Sequence, residues 1–86
     1  METTVSDKIS VVAIYDQKKN VFFPKKIKWQ ERVYEIKQIA FHHQVREGTD
    51  LFHIFSATTG TVDFLLKFNA QSLIWMLEKI SDGNAS

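Results

Sequence analysis

The chain has no cysteine, a single proline and only three glycines in 86 residues. Without cysteine there is no disulfide frame, no thiolate metal ligand and no thiol nucleophile, so packing alone must hold the fold, and a cytoplasmic setting is expected. The scarce glycines leave no phosphate-cradling loop, and no segment has the form of a nucleophile elbow. No apolar run approaches the ~20 residues that span a bilayer, and the opening METTVSDKIS lacks a basic start followed by an apolar stretch. Neither a membrane helix nor a secretory signal is therefore expected. Charge of one sign is lacking as well: eleven Lys+Arg against ten Asp+Glu give a net +1, which sets up no global field towards nucleic acid or acidic lipid. General acid–base chemistry finds no paired carboxylates. These absences point away from an enzyme and from a resident cofactor.

What the chain does contain is apolar and aromatic surface, 44% hydrophobic and 13% aromatic, enough for one core in one domain. The ends, over residues 1–8 and 81–86, read as flexible tails around a single β domain at 9–80. Ile9 to Tyr15 is rich in β-branched residues and apolar on both parities, as in a strand covered on both faces. Phe22 and Phe23 lead into Pro24, which cannot donate to a sheet ladder and so marks a strand start or edge. Beyond it Lys25, Ile27 and Trp29 share one face, with Lys26 and Lys28 on the other.

An antiparallel hairpin must set like faces opposite each other, because a one-residue slip inverts every side chain. Placing Gln30-Glu31 at the tip of a two-residue turn pairs Ile27 with Tyr34 and Lys25 with Ile36, although neither turn residue is the Gly or Asn that a primed turn prefers. The apolar parity then changes between Tyr34/Ile36 and Ile39/Phe41, which calls for a bulge or bend near Lys37 and Gln38. Glu47-Gly48 as a turn pairs Phe41 with Ile54, His43 with Phe52 and His42 with His53. Thr58-Thr59-Gly60 as a three-residue turn sets Ile54 opposite Phe64 and Phe52 opposite Leu66. A loop over Asn69 to Ser72 pairs Phe68 with Leu73, Leu66 with Trp75 and Phe64 with Leu77.

The expected fold is all-β, about six antiparallel strands in a meander curled into a roll or partly open barrel. Leu73, Met76, Leu77 and Ile80 also stand at helical spacing after a possible Asn69 cap, so a five-stranded sheet with a C-terminal helix over 70–81 is the alternative. The strand is preferred because it completes the pairing upstream. It places Ile74 and Met76 with Leu65 and Phe55 on an apolar outer patch, suited to self-association, to a protein partner or to cover by the first strand.

Two further constellations carry possible chemistry. His42 and His53, side by side in that register with Asp63 on the next strand, form a candidate metal set of imidazoles and a carboxylate. Lys18, Lys19, Lys25, Lys26 and Lys28 fall in one stretch without an acid, and residues 1–30 carry +3 against −2 for the remainder. Lysines interleaved with aromatics are the composition of a single-strand nucleic-acid surface, provided the rings are exposed. Alternation instead turns Phe23, Ile27 and Trp29 inward and leaves Lys26 and Lys28 to keep an edge strand soluble. Trp29 and Arg32, flanking the turn, are placed for a cation–π contact.

The segments KIKWQERVYEIKQI, LFHIFSATTGTVDFLLKF and LIWMLEKI, taken in order, resemble small bacterial all-β domains of unknown function over residues 24–80. The resemblance implies a mostly antiparallel, cytoplasmic, bacterial domain without an assigned activity, and it transfers no catalytic residue. The first strand and the doubled histidine have no counterpart in that pattern. The functional expectation is a non-catalytic binding or protein-interaction module, with nucleic-acid binding through the lysine stretch as the alternative and no membrane association.

Overall fold

The computed structural model describes residues 2–82 and consists of strands joined by turns, with no helix among the described residues. The strands are β1 (Glu2–Asp16), β2 (Val21–Trp29), β3 (Arg32–Glu35), β4 (Gln38–Glu47), β5 (Asp50–Thr58), β6 (Val62–Asn69) and β7 (Ile74–Asp82). All pairings are antiparallel, and the sheet order is β3-β2-β1-β7-β6-β5-β4, curled into a half-barrel. There are seven strands and not six because the bend expected near Lys37 is a full break. There the Ile36 amide donates to the Lys25 carbonyl (2.9 Å) and the next amide, Lys37, donates to the Thr58 carbonyl (2.8 Å). The chain thus crosses from one edge of the sheet to the other within two residues, and β3 and β4 become its two edges.

Residues Glu2 to Lys8 are part of β1 and not a tail, because Glu2, Thr3 and Thr4 pair with Ser81, Ile80 and Lys79. The β7 strand likewise takes in Ser81 and Asp82, while the rest of the expected C-terminal tail, 83–86, lies outside the described residues. The helix alternative over 70–81 is overturned by a turn only one helical revolution long. Asn69 Oδ1 accepts from the Gln71 and Ser72 amides (2.8 and 3.1 Å), the Leu73 amide donates to the Asn69 carbonyl (2.8 Å), and Leu73 then flips to φ 61°. That left-handed residue stops the turn, and β7 starts at once.

The first hairpin has the register read from sequence, Ile27 opposite Tyr34 and Trp29 opposite Arg32. Gln30 and Glu31 both take positive φ (52° and 63°), the twist of a type I′ turn adopted without Gly or Asn. Pro24 sits at a bulge where the register passes from Val12↔Lys26 to Ala13↔Pro24, so its missing N–H breaks no regular ladder. The bulge shifts parity within β2 and brings Phe22 to the side of Ile27, in place of Phe23.

Ile27, Ile36, Phe55, Ala57, Phe64, Leu66, Trp75 and Leu77 form the buried core, packed inside the curl. Trp75, Leu77, Phe64 and Leu66 face inward as the alternation predicts, but the inner face of β5 is Phe55 and Ala57 and not Phe52 and Ile54. The cause is the fifth connection. Thr58 pairs with Asp63, so four residues, Thr59 to Val62, separate the last β5–β6 pair, one more than the three-residue turn allows, and the register slips by an odd number. Threonine side chains build this loop: Thr59 Oγ1 accepts from the Val62 amide (3.1 Å) and Thr58 Oγ1 from the Gly60 amide (3.0 Å), with Gly60 at φ 103°.

Candidate functional site

Two features of β4 and its neighbour stand apart from the packed core, namely the outer edge of the sheet and a histidine pair on the concave face. β4 pairs with β5 along its length, from Gln38↔Thr58 to Glu47↔Asp50, with a bulge between Ile39 and Phe41. Its turn is Gly48-Thr49 and not Glu47-Gly48, with Gly48 at φ 62° in the first central position, where a glycine best accepts positive φ. The displacement is two residues in register, so partners on each face are preserved in kind but moved along. His42 now faces Phe55 and His53 faces Gln44, which makes the two histidines diagonal neighbours.

Because β5 is inverted relative to expectation, that diagonal lies on the concave face, among aromatics. The His42 ring stacks on Phe55 (centroids 4.2 Å apart, 12° between planes). His53 meets the edge of Phe22 at 5.6 Å and 75°, and Phe22 in turn touches Phe55, Phe68 and Trp75. His42 Nε2 and His53 Nδ1 stand 2.8 Å apart and share one hydrogen, one ring donating and the other accepting. Burial against these rings pushes the pKa of both imidazoles down, and at His42 the neighbouring His53 and then His43 add repulsion against a second charge. His43 itself is on the convex face, stacked on Phe41 (5.3 Å, 18°).

Asp63 does not join them. It pairs with Thr58, five residues along β5 from His53, roughly 16 Å at strand rise, and on the opposite face. Among the described residues no group of three or more His, Asp or Glu side chains converges.

The five lysines do not form one surface either. The amides of Lys18 and Lys19 donate to Asp16 Oδ1 (3.1 and 3.2 Å), pinning both residues in the β1–β2 turn. Lys25 is the extra residue of the bulge and is half-buried. Lys26 and Lys28 are exposed on the convex face, where with Ser10, Val12 and Val33 they border a shallow hollow of about 380 Å³. Val12 and Val33 are among its exposed apolar residues, and no aromatic ring lines it. The lysines protect no edge, since β2 is flanked by β1 and β3. Nor does Arg32 stack on Trp29, its cross-strand partner: the indole N–H donates to Asp7 Oδ2 (3.0 Å), and Arg32 lies over Tyr34 at 5.4 Å.

Of the expected outer patch, Phe55 is in the core at 0% exposure. Leu65, Ile74 and Met76 do lie on the convex face, where Leu65 pairs with Lys79 and Met76 with Lys67 and Lys8. Lysines therefore interrupt the apolar surface there, and Leu65 lines a second hollow, of about 280 Å³, together with Lys67 and Lys79.

The residues that sequence reasoning passed over are those of the β4 edge. From Ile39 to Val45 the strand reads IAFHHQV, with no lysine, acid or proline, and Phe41 is 47% exposed. Beyond the strand ladder with β5, no backbone hydrogen bond is made by residues 39–47 among those described. The missing charge was a readable signal, since natural edges normally carry such a device. Searches against protein-family models, curated proteins and solved structures find no match to this chain.

Proposed function

We propose that the domain is a non-catalytic protein-interaction module whose working surface is the outer edge of β4, and that the occupant of this edge is β4 of a second copy. The observation that carries this reading is the uncharged, unpaired run from Ile39 to Val45 at the end of the sheet. An edge of this kind presents a row of free N–H and C=O groups, and an added antiparallel strand satisfies them while side chains on alternate positions set specificity. A two-fold axis through His43 places Phe41 of one copy beside Val45 of the other on the convex face, and His42 beside Gln44 on the concave face. Apart from His43, which meets its own copy on the axis, no like titratable groups meet in that register, because Arg46 falls opposite Ala40 and Glu47 opposite Ile39.

Sedimentation equilibrium over a concentration series tests the proposal. A mass rising to twice 10.0 kDa, and held at the monomer value in the Phe41→Lys/Val45→Lys double variant, supports it. A monomer at millimolar concentration, or a dimer indifferent to the two lysines, overturns it. A monomer that binds single-stranded DNA or RNA at low ionic strength and releases it with salt moves the reading to Lys26 and Lys28.

A further inference from the structure

The histidine pair has a geometry that neither the core nor the edge requires. We infer that His42 and His53 form a two-imidazole site for one divalent transition cation of the zinc, copper or nickel type, on the concave face beside β4. This inference is independent of whether β4 pairs with a second copy.

The nitrogens that face each other, His42 Nε2 and His53 Nδ1, are 2.8 Å apart. Two imidazole nitrogens bound to one such cation at about 2.0–2.1 Å stand about 2.9–3.4 Å apart for angles between square and tetrahedral. A separation increase of a few tenths of an ångström, with each ring turned by about 35–45° so that both lone pairs meet at one point off the N···N line, converts the hydrogen bond into a chelate. The rings are already close and braced: Phe55 stacks under His42 and Phe22 meets His53 edge-on. That aromatic bracing lowers the ordering cost of binding, as outer-shell partners do in metal sites.

The protonation chemistry balances without losing a net proton. In the resting pair one ring donates N–H to the lone pair of the other. On binding, the donor ring moves its hydrogen to its distal nitrogen, Nδ1 of His42 or Nε2 of His53, and both facing lone pairs then go to the cation. Burial already disfavours the protonated imidazoles, so little competition from protons is met at neutral pH. His42 is exposed, which leaves water free to fill further positions, and Gln44, cross-strand from His53 on the same face, offers an amide oxygen nearby.

Calorimetric titration of the metal-free protein with zinc chloride near pH 7.5 tests the site, with ring 15N shifts of the three histidines read in parallel. One cation per chain is expected, with shifts at His42 and His53 and none at His43. Losing a direct ligand costs no less than the ~10–100-fold typical of an outer-shell partner. His42→Gln and His53→Gln should therefore each weaken binding by at least about ten-fold, while His43→Gln leaves it unchanged. Both pair members pack against core rings, but neither is itself buried, and unchanged circular dichroism establishes that the variants fold. Absence of zinc binding in the wild-type protein, or equal binding in the wild type and both pair variants, overturns the inference.

Discussion

The two edges of the sheet, β3 and β4, lie on either side of the same two-residue crossing and are treated in opposite ways. β3 is four residues long, begins with Arg32 and ends with Glu35, and its exposed side chains surround a tight turn. β4 is ten residues long and carries no charge between Ile39 and Val45, with a bulge only at its first end. Short length and charge are the ordinary means of keeping strands from pairing between molecules, so one edge is closed to association and the other is available. That contrast between the two edges is what the proposed self-association rests on.

The largest test of this contrast is at the foundation of β4, whose strand pairing among the described residues is with β5 alone. Phe55, fully buried beneath His42, anchors that attachment, and Phe55→Ala should lower the unfolding free energy by about 3–5 kcal/mol, read from urea denaturation. A loss below about 1 kcal/mol would mean that β4 is supported from elsewhere. Next in size is the edge itself. Phe41→Lys/Val45→Lys should weaken self-association at least ten-fold, about 1.4 kcal/mol, while Val33→Lys on β3 leaves the mass distribution unchanged. Equal sensitivity at the two edges would erase the distinction between them.

The β3 side can be sharpened by a gain in stability. Gln30 and Glu31 both hold positive φ, which costs L residues ~1–2 kcal/mol each. The Gln30→Asn/Glu31→Gly variant should therefore raise the urea midpoint by an amount worth about 1 kcal/mol, and a drop would show that the side chains there do more than turn the chain.

The smallest effect is one of pH on the β4 side. Burial holds the His42 and His53 imidazoles below their ordinary value, so the folded state takes up protons less readily than the unfolded chain. Their contribution to stability is fully present above the unfolded value of about 6.5 and is lost as the pH falls through it to the lowered folded values. In metal-free buffer the urea midpoint should fall slightly between about pH 7.5 and pH 5, and the fall should be reduced in His53→Gln. A rise on acidification would contradict the direction of both shifts.

Much of the architecture was legible from alternation, and its failures have identifiable causes. The pairing of Ile27 with Tyr34 is legible because between Lys25 and Ile36 the inward parity holds Ile27, Trp29, Tyr34 and Ile36 against Val33 alone on the other, enough to override unpromising turn residues. The stretch LFHIF in β5 is apolar on both parities, so alternation had no power to choose between Ile54 and Phe55 for the core. The choice fell to the loop after Thr58, whose length is set by threonine hydroxyls bonding its own backbone. From that one-residue difference follow both the burial of Phe55 and the placement of His42 and His53 inside the curl. Their proximity was readable, but their face was not. Asp63 was lost from the metal set for the same reason. Asn69, the cap of the alternative helix, caps a turn instead, which Leu73 ends after one revolution.

The crossing at Ile36 and Lys37 also bears on how the chain folds. Among the described residues every strand pairing but one is a hairpin between neighbours in sequence, and the exception is β1 with β7, which brings Glu2 beside Ser81. The molecule is therefore two local meanders, β1–β3 and β4–β7, whose union requires closing nearly the whole chain into a loop. Loop closure of that span must precede the contacts that reward it, so docking of β1 onto β7 is expected to limit the folding rate. Read as a ring, the strands run β4-β5-β6-β7-β1-β2-β3 without a skipped neighbour. A permuted chain opened at the crossing and joined through a linker between its present ends would turn that slow long-range step into one more hairpin.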